Sequence, residues 1–222
     1  MTKVVIIVTM RKISNSVEEI IAEDEVALEA LRSKLLNLSA YAKSIRGEVE
    51  RQTSKPVKTG SIVVALSRMG KAVNQIAPLR PRVRICDLAI KAPIFEVTYE
   101  KTRENMAKIR EIQTKLNAGD NFLTITQGVG EITVICSQKV SEEVKKYVVV
   151  KPVGTYDGLG AITVRFNEPD YIEEPNMIYS LVAELAKKRI NLIEIVSTFS
   201  ELSFIVRKTD VDRVVAVLNK LL

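Results

Sequence analysis

Apolar positions in the first third of the chain recur every three or four residues. Leu28, Leu31 and Leu35 share one side of a predicted helix over 25–36, and Tyr41, Ala42, Ile45 and Val49 form the stripe of a second, with Ser39 placed to cap it. After a polar turn over 53–59 containing Pro56, the positions Ile62, Leu66, Met69 and Val73 align on a third. The opening run 4–8 is apolar on both faces of a strand, which predicts that it pairs into a sheet elsewhere.

Pro78 and Pro81 lack amide protons and bias their predecessors to extended backbone, so a domain boundary is expected at 77–82. Beyond it the period changes. A strand is predicted over 94–100, then a helix over 103–116 with Met106, Ile109, Ile112 and Leu116 on its buried side. Next come a hairpin over 121–136, a helix over 141–147 and a closing strand over 147–150. Turn formers over 151–158 mark a second break. The order then repeats: strand 161–166, helix 175–189 with Ile178, Leu181, Val182 and Leu185 inward, hairpin 191–206, and helix 210–221.

The repeat is visible in the residues. NFLTITQGVGEITVIC at 121–136 and NLIEIVSTFSELSFIV at 191–206 superpose without a gap at an offset of 70, with Asn121 on Asn191, Ile125 on Ile195, Glu131 on Glu201 and Ile135 on Ile205. Two copies of one βαββα unit are therefore expected. The second copy ends without a fourth strand, and an open antiparallel sheet would keep an unpaired edge there. Either 83–90 or 4–8 is expected to fill it.

Composition narrows the chemistry. The chain of 222 residues is 46% hydrophobic, with no run long enough to cross a membrane and no secretory signal, so a soluble cytoplasmic protein is expected. Cys86 and Cys136 lack metal or redox spacing and read as buried free thiols. Histidine is absent, which removes Ser-His and Cys-His nucleophiles and His-ligated zinc. Neither a phosphate-binding GxxxxGK[ST] loop nor a strand-borne GxGxxG occurs. No enzyme, cofactor or metal is expected.

The net charge of +6 lies entirely in residues 1–82, which carry 14 Lys/Arg against 8 Asp/Glu, whereas 83–222 carry 19 of each. A basic excess confined to one helical segment suits a module that meets a polyanion. The three-helix pattern is similar to helix-turn-helix modules, which would turn Lys55, Lys58, Ser67, Arg68 and Lys71 toward double-stranded DNA. A plain three-helix packing or dimerisation module stays open.

The second copy resembles the ACT domains of aspartokinase regulatory regions. ITVRF, the loop and helix IEEPNMIYSLVAELAKKRINLIEIVSTFSELSFIV, and DVDRVVAVLNKLL carry the likeness, with Pro175 at the loop proline and Ile190-Asn191-Leu192 at the start of the hairpin. The resemblance implies an α+β architecture: a helical, helix-turn-helix-like domain over 1–82, then two ferredoxin-like βαββαβ ACT-type domains over 83–152 and 153–222. It implies an amino-acid ligand contacted by Glu174, Asn176, Met177, Asn191, Leu192 and Asn121, and a homodimer or higher homo-oligomer. Asn176 stands where that family has glycine, and asparagine is among the few other residues that tolerate positive φ. Two functions follow: an amino-acid-sensing transcriptional regulator, or a regulatory subunit of an amino-acid biosynthetic enzyme that does not touch DNA.

Overall fold

The structure, a computed structural model, describes residues 11–73, 78–116, 121–167 and 173–222. The strand expected over 4–8 lies outside them. The chain divides into two compact units, Met1–Leu79 and Arg80–Leu222.

The first unit contains α1 (Ile13–Glu23), α2 (Glu25–Arg32), α3 (Leu38–Thr53) and α4 (Thr59–Ala72). Val17 and Ile21, Ala27, Leu28 and Leu31, Ala42, Ile45 and Val49, and Ile62 and Leu66 bury one stripe from each helix in a common core. The 3.6 period thus placed α2–α4, but α1 escaped it because only part of its pattern is apolar. Capping also differs from expectation: Asn37, not Ser39, caps α3 by accepting from the Ala40 amide at 3.0 Å, two residues earlier than the stripe suggested. Asp24 does the same for α2 through the Ala27 amide at 2.9 Å. The α3–α4 turn contains no glycine. Ser54 supplies its left-handed residue at φ 53°, and the Glu50 carboxylate accepts from the Val57 amide at 2.9 Å. That amide, followed by the Arg46 guanidinium, holds the Glu50 carboxyl below its ordinary range.

The second unit is one six-stranded antiparallel sheet. Its strands are β1 (Asp87–Glu100), β2 (Leu123–Gln127), β3 (Glu131–Ser137), β4 (Gly154–Arg165), β5 (Glu194–Ser197) and β6 (Glu201–Arg207), in the order β2-β3-β1-β4-β6-β5. Helices α5 (Arg103–Leu116), α6 (Ser141–Tyr147), α7 (Met177–Lys187) and α8 (Val211–Leu218) carry the crossovers.

β1 and β4 are twice the expected length, and each serves both copies. Ile94–Glu100 of β1 pairs with β3, while Asp87–Lys91 pairs with Arg165–Ala161 of β4. Reciprocally, Leu159–Arg165 of β4 pairs with β6, while its first residues, Gly154–Tyr156, pair with Thr98–Glu96. Each copy thus lends its neighbour the fourth strand. This settles the open edge of the second copy in favour of the segment before the first. It also corrects the strand expected over 147–150: Tyr147 ends α6, residues 148–150 form no strand, and Gly154–Tyr156 takes that place. The ladder is interrupted between Lys91 and Ile94, where Pro93 has no amide to donate.

The two halves match in detail. Ile94 and Leu159 face Ser137 and Arg207, again 70 apart, and each half carries one cross-strand hydroxyl pair at the same place: Thr98 with Thr133 at 2.8 Å and Thr163 with Ser203 at 2.7 Å. Cores form on the helix side: Phe95, Val97, Tyr99, Ile109, Ile112 and Val134 in the first copy, and Ile162, Val164, Leu181, Leu185, Phe204 and Val214 in the second. Ile178 is exposed, because α7 buries Met177, Leu181 and Leu185 instead. Cys86 is exposed and Cys136 buried, which corrects half of the expectation for the thiols.

Candidate functional site

On the face away from the helices, Ile94, Ile135, Leu159, Ala161 and Ile205 make a second apolar cluster, contacted from both copies by Phe122 and Ile193. These two residues start the hairpins of the two copies, so both hairpin starts pack on one shared cluster. The edge strands are linked there: Thr126 Oγ1 of β2 donates to Glu194 Oε1 of β5 at 3.2 Å. Glu96 lies in the same strand as Ile94, only 6% exposed, and its Oε2 has no partner. Burial, then the nearby Glu194 charge, pushes the Glu96 carboxyl up to about 7, and burial raises Glu194 as well.

A second set of unsatisfied groups stands where the β2–β3 ladder runs out. The last cross-strand contacts are Phe122 N to Ser137 Oγ at 3.0 Å and Ser137 N to the Phe122 carbonyl at 2.9 Å. Asn121 and Gln138 are the next residues along the chain on either side of these contacts. Asn121 Oδ1 and Gln138 Oε1 are both buried and unpartnered, while Gln138 Nε2 donates to Asp157 Oδ1 of β4 at 3.1 Å. Each of these two oxygens is an acceptor without a donor, the one on Gln138 belonging to an amide that is bound to the Asp157 carboxylate, and a buried acceptor left without a donor costs about 1–3 kcal/mol. An ammonium group, with three N–H donors and no acceptor, is the chemical complement of such oxygens.

The nominated ligand residues fall in three places. Glu174, Asn176 and Met177 lie at the start of α7, where Asn176 takes the left-handed conformation that its position requires, at φ 69°. Met177 turns its side chain into the core, leaving its backbone as the part that a ligand could reach. Asn191 and Leu192 lie past the other end of α7, separated from Asn176 by 11 helical residues, about 16 Å. Asn121 alone has an orphaned oxygen. Gln138, Asp157, Glu96 and Glu194 were not nominated. For Glu96 the signal was a carboxylate inside the apolar run Ile94–Tyr99, and for Gln138 it was the position across the hairpin from Asn121.

In the first unit Lys58, Ser67, Arg68 and Lys71 are exposed and Lys55 is half-buried. Arg68 and Lys55 line a groove of about 810 Å³ with Lys12, Glu18 and Val64, while Ser67 and Lys71 line another with Lys34. Among the described residues no cluster of three metal-ligating side chains occurs, and no helix is long and apolar enough to cross a membrane.

No family model and no curated protein matches the chain. Solved structures do. The aspartate kinase of Synechocystis is 14% identical with a TM-score of 0.51, over 65% of this chain and 27% of that one. The regulatory subunit of aspartate kinase from Thermus thermophilus is 11% identical with a TM-score of 0.50, over 62% of this chain and 97% of that one. The aspartate kinase of Clostridium acetobutylicum is 15% identical with a TM-score of 0.49, over 64% of this chain. This chain spans only 36% of the Clostridium enzyme. The likeness to the first two shows the fold over that part of the chain: an antiparallel sheet arrangement shared with the Thermus regulatory subunit.

Proposed function

We propose that this chain is a non-catalytic regulatory protein that binds an amino acid at the seam of its paired ACT-type halves and acts on an enzyme of amino-acid biosynthesis. The observation that carries the reading is that the oxygens of Asn121 and Gln138 are both buried and unpartnered, the Gln138 amide being bound to Asp157. An α-ammonium group complements these acceptors, and the Gln138–Asp157 bond joins the end of the first copy's hairpin to β4, the strand that serves both copies, so occupancy bears on the geometry of both. The fold shared with aspartate kinase regulatory subunits supports the same reading. The residues at the start of α7 are left to meet a carboxylate supplied through a second protomer, in the homodimer that the reading includes.

Thermal-shift screening of the twenty amino acids tests it. A ligand at 100 times its Kd stabilises the native form by about 2.7 kcal/mol, which is several degrees in Tm. The shift should vanish in Asn121→Leu, whose unliganded Tm stays equal or rises because an orphaned oxygen has gone. No shift at millimolar concentrations in the parent protein contradicts the reading.

Transcriptional regulation is the second reading, favoured by the exposed arc of α4 bearing Val64, Ser67, Arg68 and Lys71. On that reading, fluorescence anisotropy shows duplex binding that weakens steeply with salt, and Arg68→Ala lowers the salt slope by about 1. The enzyme-regulating reading expects no duplex binding at low salt, and an amino-acid-dependent complex with a biosynthetic enzyme in size-exclusion chromatography.

A further inference from the structure

The segment Arg80-Pro81-Arg82-Val83-Arg84-Ile85 opens the second unit in strict alternation. Pro81, Val83 and Ile85 are buried, and Arg80, Arg82 and Arg84 are exposed. Backbone pairing holds it extended: Ile85 N donates to the Leu221 carbonyl at 3.0 Å and Cys86 N to the Arg165 carbonyl at 2.9 Å. In extended backbone every second side chain points the same way, so the core contacts of Val83 and Ile85 set three guanidinium groups in a row on the other side.

That row borders a cavity of about 650 Å³, closed by Lys220, Leu221 and Leu222 and by Ser180 and Glu184 of α7. Arg80 is steadied over the Tyr179 ring at 5.6 Å. Arg82, Arg84 and Lys220 form no salt bridge among the described residues. Among the described residues Glu184 is the one acidic side chain lining the cavity, and its charge is offset by Lys187 at 2.5 Å. Ser180, 5% exposed, presents a hydroxyl with no partner in the wall. A concave, strongly cationic cavity with an unsatisfied hydroxyl in its wall is built for an anion. Its size exceeds that of a single ion and falls within the range of small-molecule sites, roughly 300–1,000 Å³.

We propose that this cavity is a second ligand site, distinct from the amine-binding seam, which takes a small phosphate-bearing metabolite. The forks of Arg82 and Arg84 grip the phosphate, Lys220 adds a point charge, and Ser180 Oγ donates to a phosphate oxygen. Guanidinium forks match phosphate geometry, and a four-cation lining suits a dianion better than a single carboxylate. A walled cavity with its hydroxyl buried in α7 favours a small molecule over the continuous backbone of a duplex.

Isothermal titration calorimetry of the full chain, at constant ionic strength, with inorganic phosphate, pyrophosphate, AMP and a 20-base-pair DNA duplex tests this. Pyrophosphate or AMP should bind at sub-millimolar Kd and more tightly than inorganic phosphate. Arg82→Ala and Arg84→Ala should each weaken binding at least tenfold, and Ser180→Ala a few-fold while leaving the unliganded Tm unchanged or higher. The proposal is overturned if no phosphate probe binds beyond an equal ionic strength of chloride, or if binding survives the arginine substitutions. It is equally overturned if the duplex binds with the same arginine dependence and the small probes do not.

Discussion

Raising the pH from 5 to 8 should lower the stability of this protein by up to about 3 kcal/mol, and Glu96→Gln should remove most of that slope. Glu96 is the cause: in the folded chain its carboxyl lies near 7 against an ordinary value of 4.5. A proton therefore binds the folded form more tightly than the unfolded one. The stabilisation is fully present below 4.5 and is lost as the pH rises through 7, at about 1.36 kcal/mol per unit of difference. Glu194 is raised in the same sense and leaves a residual slope. Denaturant unfolding at several pH values measures it. Glu96→Leu should be the more stable chain at pH 8, because the apolar cluster around Ile94 and Leu159 then gains a methyl-bearing side chain in place of an unpartnered charge. A wild-type stability that is flat or rises across this window would show that Glu96 is solvated, and that the sheet does not curl over it.

Gly160→Ala should cost about 1–3 kcal/mol, read as a fall in Tm of roughly 3–10 °C. Gly160 occupies in the second copy the position of Phe95 in the first, since each follows the residue that faces Ser137 or Arg207. In the first copy a phenyl ring fills the space below α6, with Lys145 Nζ over it at 4.8 Å. In the second copy α8 sits against the bare backbone: a Cβ on Gly160 would lie 2.4 Å from Val211 Cγ2 and 3.7 Å from Ala92 Cβ. Shortening the opposing residue should relieve the clash, so Val211→Ala combined with Gly160→Ala should lose less than the two separate losses added together. A neutral Gly160→Ala would mean that α8 does not pack on β4 as described.

Much of this was legible because the repeat is written in side chains that must alternate between core and solvent. Ile125 with Ile195, and Ile135 with Ile205, fix the hairpins, and α5 follows from Ile109, Ile112 and Leu116. The strand exchange was hidden. Thr155, Tyr156, Asp157 and Gly158 look like turn residues, yet all four extend β4, because the open edge of the first copy offers Thr155 and Tyr156 backbone partners that no local propensity reports. Ile90, by contrast, lies in β1 but remains exposed. The seam was half legible. Asn121 stood out through its match to Asn191, but Gln138 and Asp157 acquire their roles only when a hairpin end and a borrowed strand meet. The unpartnered oxygens cannot be read from composition at all, since they depend on which donors the fold leaves out of reach.

The seam itself is open to direct measurement by following the side-chain amide resonances of Asn121 and Gln138 in a ¹⁵N-labelled chain during titration with the amino acid that gives the largest thermal shift. Binding at the Asn121 and Gln138 oxygens moves these two signals together, saturably, and ahead of the resonances of α4. Signals that stay in place while other residues respond would put the ligand elsewhere and contradict the account.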